Sequence, residues 1–110
     1  MPRVFFPVKI DKFDISSAEK FGDIIFLSKD YISPFNINEA IWKFMNTLLK
    51  SEFNPEEDYI CMTGNSLILC WFSISIITIF EKVKVLLFDS RAGEYQERVL
   101  EKPWRKNPDE

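Results

Sequence analysis

Hydrophobic and polar positions change their period several times along the chain, and each change marks an element. From Asn36 the apolar residues Ile37, Ile41, Phe44 and Leu48 recur at four, three and four, which predicts a helix with one buried stripe. Trp42, Met45 and Leu49 widen that stripe, and Lys43, Asn46, Thr47 and Lys50 face water. Asn36 stands where a helix cap belongs, with Glu39 in the reciprocal position. Short apolar runs without helical period flank this helix at 23–28 and 58–63. They predict strands, the first of them buried on both faces. Val4 to Ile10 alternates weakly around Pro7, which predicts an edge strand or one broken by a bulge. Between the first two strands, Ser16 and Glu19 have the capping-box spacing, and Gly22 sits at the position of a C′ glycine. A turn or two of helix is expected at 16–21.

The second half is dominated by one long apolar run. Leu67 to Phe80 contains the β-branched Ile74, Ile76, Ile77, Thr78 and Ile79, which suit strands. The run is long for one strand, however, and another strand at 83–88 follows almost at once. A helix starting at Asn65 or Ser66 is the expectation, with two strands as the alternative. That strand ends at Asp89-Ser90-Arg91, Ala92-Gly93 supplies the turn, and Glu94 to Glu101 alternates as the outer strand of a hairpin. Strands and helices thus alternate. They predict an α/β fold, a small mostly parallel sheet with two main helices, a short N-terminal helix and a C-terminal β-hairpin. Residues 1–102 form the expected single domain, and 103–110 a flexible tail with Trp104 its only anchor.

Composition narrows the function classes. A net charge of −3 with acids and bases interleaved argues against a nucleic-acid binder, which shows a basic face or run. The chain has no His, so Ser-His and Cys-His nucleophilic machinery and the commonest metal ligand are excluded. Cys61 and Cys70 stand in apolar surroundings without Cys-x-x-Cys spacing and read as two buried free thiols. The uncharged stretch from Tyr59 to Phe80 is interrupted by Thr63, Gly64, Asn65 and Ser66. What remains is shorter than the roughly 20 residues of a membrane span. The N-terminus lacks a signal-peptide core, so a cytoplasmic protein is expected, in the host cell if viral.

Two surfaces could carry function. In open parallel sheets ligands collect beyond the carboxyl ends of the strands. Ser28, Lys29 and Asp30 follow one strand there, Thr63, Gly64, Asn65 and Ser66 the next, and Asp89 and Arg91 the third. Backbone N–H groups at the helix start, the Thr63 and Ser66 hydroxyls and the Arg91 guanidinium could hold a nucleotide or other anion. The same residues read equally as a capped turn, with Asp89 and Arg91 serving the hairpin. Asp30, Asp58 and Asp89 make a poor metal cluster, because Asp58 lies at the opposite end of its strand. No cofactor, metal or catalytic residue is therefore expected.

The other surface is the run 67–80 itself. Its polar members Ser73, Ser75, Thr78 and Glu81 point in different directions on a wheel, so the helix has no wet face and must be covered all round. One neighbouring helix and a sheet leave part of it open, which marks Leu67, Trp71, Phe72 and Ile74 as a protein interface, most simply with a second copy. A central helix wrapped by 16–21 and the tail is the alternative.

The Ser33-Pro34-Phe35-Asn36 loop, the turn from Asp58-Tyr59-Ile60 to Thr63-Gly64-Asn65, and the hairpin from Phe88-Asp89-Ser90-Arg91 to Glu94-Tyr95 together resemble small α/β proteins of phages and other mobile elements. The resemblance implies a viral or mobile-element accessory protein and no catalytic residue.

Overall fold

Alternating apolar positions need cover on both faces of a parallel sheet, and the chain supplies helices to each. The computed structural model describes residues 2–8, 15–28, 33–63 and 66–103. Its strands are β1 (Arg3–Phe6), β2 (Asp23–Phe26), β3 (Tyr59–Cys61), β4 (Lys82–Asp89) and β5 (Glu94–Glu101), in the order β2-β1-β3-β4-β5. β1 pairs in parallel with β2 and β3, and β3 with β4, while β4 and β5 form an antiparallel hairpin. A 3-10 helix (Ser16–Phe21), α1 (Ile37–Lys50) and α2 (Ser66–Ile79) make the crossovers. The run is thus helical from Leu67 to Ile79, as expected, and Phe80 falls just beyond the end of α2.

Phe5, Ile60, Val83 and Val85 pack with Ile41, Phe44 and Leu48 of α1 and Ile68, Phe72 and Ile76 of α2. The Phe44 and Phe72 rings meet edge to face at 5.5 Å, which joins the two helices above the sheet. Val4, Phe6, Cys61, Leu86 and Tyr95 point the other way and pack with Ala18 of the 3-10 helix. Two clusters result, one on each side of the sheet.

Several local expectations change. β1 is interior, with a strand on each side, because it ends at Phe6 and Pro7 falls beyond the ladder, where its missing donor costs nothing. β2 is the sheet edge and only partly buried, since it has a single neighbour. The 3-10 helix is entered through Ile15 and has no capping-box geometry. Gly22 is extended rather than left-handed, and what demands glycine is the backbone of Pro2, whose oxygen lies 2.4 Å from where a Cβ would sit. Ser33, not Asn36, provides the cap: its Oγ accepts the Phe35 N–H at 3.2 Å, because 34–36 already form a 3-10 turn leading into α1. Glu39 instead pairs with Lys43 one turn on.

At the amino end of the strands, buried Asp58 accepts from the Arg3 guanidinium at 2.8 Å, the Arg3 N–H at 3.0 Å and the Asn54 N–H at 2.8 Å. Arg3 also donates to the carbonyls of Ser51 and Glu52, at the carboxyl end of α1. One ion pair thereby fastens β1, β3 and α1 together.

Candidate functional site

The strand order reverses between β1 and β3, and the rule for open α/β sheets puts a ligand crevice beyond their carboxyl ends. The described residues there are largely committed to the fold. Pro7 is buried, and Val8 and Met62 pack against the core. Thr63 is nearly buried and its side chain hydrogen-bonds the Cys61 thiol, as does Tyr95. Burial pushes that thiol up to about 12 in spite of these partners, so Cys61 is inert as a nucleophile. Ser66 is exposed at the first turn of α2; Gly64, Asn65, Lys29 and Asp30 lie outside the described residues.

Asp89 serves the hairpin. Its Oδ1 accepts the N–H groups of Arg91 at 3.0 Å and Ala92 at 3.4 Å, and its carbonyl accepts from Gly93, whose φ is 70°. The Arg91 side chain projects into solvent. Asp58 stands at the opposite end of the sheet, as the sequence implied. Among the described residues no acidic, thiol or imidazole group is arranged to hold a metal ion.

The helix layer is different. α2 buries Ile68, Phe72 and Ile76, and leaves Leu67, Trp71 and Ile74 exposed at 53%, 42% and 45%. These three stand one turn apart on one side, and Cys70 and Thr78 share that side, so an uncharged strip runs along the helix. Two expectations are corrected here. Phe72 faces inward against Phe44 and is no part of the strip. Cys70 is exposed, not buried, because its position on the wheel is opposite the sheet. The sequence also missed Trp42 and Leu49 of α1, which are 67% and 47% exposed; both lie at the margin of their stripe, where a wheel does not decide burial.

Beside α2 no described residue covers the sheet. A hairpin, not a crossover helix, joins β4 to β5, so no helix follows α2 across this face. An apolar cleft of about 230 Å³ is left there between Ile76 and Ile77 of α2 and Val83, Val85 and Leu100 of the sheet. Pro103 stands at its rim, and Trp104 lies outside the described residues. Among the described residues no helix is long and apolar enough to cross a membrane.

A family model described as Phage Pam3 gp32-like protein matches residues 5–102, from within β1 through the end of β5. No curated protein and no solved structure matches the chain.

Proposed function

We propose, for a chain that belongs to the Phage Pam3 gp32-like protein family, a non-enzymatic phage accessory role exercised by docking α2 onto protein. The observation that carries this reading is the outer side of α2. Leu67, Trp71 and Ile74 are exposed on a helix without a single charged residue. Apolar strips of that kind are costly to leave in water and mark interaction surfaces. The crest gives chemistry less support: Asp89 and Thr63 are engaged within the fold, by the hairpin turn and the Thr63–Cys61 contact. On this reading the protein works in the host cytoplasm.

Dye binding tests it. At submicromolar concentration the folded chain should enhance the fluorescence of an apolar dye, and the triple change Leu67→Glu, Trp71→Glu and Ile74→Glu should abolish the effect with the circular dichroism unchanged. A folded chain with no dye response counts against a docking strip. A nucleotide-dependent rise in melting temperature that Arg91→Ala removes would move the function to the Thr63–Ser66 corner.

A further inference from the structure

Resting on the docking reading, we infer that the partner is a second copy of this chain, its α2 laid against this one about a two-fold axis. A two-fold contact sets a patch against itself, so any charge near the axis meets its like. That condition separates the described helices. The 3-10 helix presents Glu19 and Lys20, and α1 presents Glu39, Lys43 and Lys50. The outer strand β5 carries Glu94, Glu97, Arg98 and Glu101, an edge that charges protect from further pairing. α2 has no acid or base from Ser66 to Ile79. It can face its own copy without like-charge repulsion.

The wheel fixes what meets at the axis. With Ile68, Phe72 and Ile76 turned to the sheet, Cys70 and Ile74 point straight out, flanked by Leu67 and Thr78. A single helical strip is narrow beside the roughly 800 Å² per partner that a stable interface buries. The neighbouring helix widens it. Right-handed crossovers place α2 on the β4 side of α1, and on that side of the α1 stripe stand Met45, Leu49 and Trp42. Trp71 is on the flank of α2 turned to α1. Trp42, Leu49 and Trp71 therefore border one seam, and its two exposed indoles are the side-chain type that dominates interface energetics.

Light scattering and sedimentation of the full chain, from micromolar to hundred-micromolar concentration, test the inference. The mass should rise from 13.0 kDa to twice that value and stop. Ile74→Glu, at a half-exposed position that leaves the melting curve intact, should weaken dimerisation by roughly a hundredfold, because two like charges then meet at the axis. Trp42→Ser should weaken it less, by about tenfold. A short bis-maleimide should link two copies through Cys70 in the native chain and fail to do so in Ile74→Glu. A wild-type mass that stays at one copy, or climbs past two, overturns the inference, as does a dimer unaffected by Ile74→Glu. The docking reading fails separately: a monomer that still binds apolar dye through α2 keeps it, and a monomer that does not loses both.

Discussion

Asp58 fastens the amino end of the sheet to the carboxyl end of α1, and its chemistry gives two predictions. Burial alone raises this carboxyl, but the Arg3 hydrogen bond, the Asn54 and Arg3 backbone N–H groups and the Arg3 charge outweigh it and hold the group below its ordinary 3.8. A folded-state value below the unfolded one stabilises the protein above the unfolded value, and that contribution is lost as pH falls through it toward the folded value. Stability should decline as the pH drops below 3.8, and Asp58→Asn should lack that component. The substitution leaves the Arg3 charge without its partner and should cost about 3 kcal/mol near neutral pH, read by urea unfolding. A loss within experimental error would show that the pair does not fasten β1 to α1. Next to it, Glu52 holds a φ of 56°, where an L residue is strained, and closes α1 with N–H bonds from Glu52 to Leu49 and from Phe53 to Leu48. Glu52→Gly relieves the strain and removes an anion from a helix carboxyl end, at the cost of a looser unfolded chain. A net gain of about 0.5–1 kcal/mol is expected, seen as a melting temperature roughly 2–6 °C higher. An unchanged or lower value contradicts it. None of this was legible in the sequence, because Arg3 and Asp58 are 55 positions apart and nothing local announces their meeting.

The elements were legible to the extent that local pattern decides them. The four-three-four spacing in α1 and the uncharged, mostly apolar run of α2 survive in the structure because packing rewards those patterns wherever the helices end up. What a single strand looks like does not reveal its neighbours. β1 with Pro7 resembled an edge and is interior, and the apolar β2 resembled a centre and is the edge. Gly22 shows the same limit from the other side. Its sequence position suggested a left-handed cap, yet its role is to let the Pro2 backbone pass, where the Asp23 N–H then reaches the Pro2 carbonyl at 3.1 Å. Gly22→Ala would put a Cβ 2.4 Å from that oxygen, and a backbone atom cannot swing aside as a side-chain tip can. The β1–β2 pairing should therefore yield, with a loss of about 1–3 kcal/mol and faster hydrogen exchange at 23–26 than elsewhere in the sheet. Uniform exchange across the sheet would place the damage elsewhere. The thiols separate just as cleanly: a maleimide should label Cys70 rapidly, and Cys61 only after unfolding, since burial holds its thiol near 12.

At the scale of the whole molecule, α2 differs from the other long elements α1, β4 and β5 in carrying no charge. Seventeen acids and 14 bases give a net −3, so two copies approaching one another repel weakly at long range. The contact they are proposed to make is uncharged, and its driving force is removal of apolar surface from water, which simple salt barely changes. The two terms respond to ionic strength in opposite ways from a charge-mediated contact. Added sodium chloride screens the long-range repulsion and leaves the apolar term in place, so dimerisation should hold or strengthen as salt is raised. Sulfate, which is excluded from protein surfaces, should strengthen it further. An association built on Arg91, Lys43 or the acids of β5 would instead weaken with salt, as would anion binding at the start of α2. Sedimentation equilibrium in low and high chloride, and then in sulfate, separates these cases on the unmodified chain. A dissociation constant that rises with salt would mean that charges hold the copies together, and α2 would then not be the surface through which they meet.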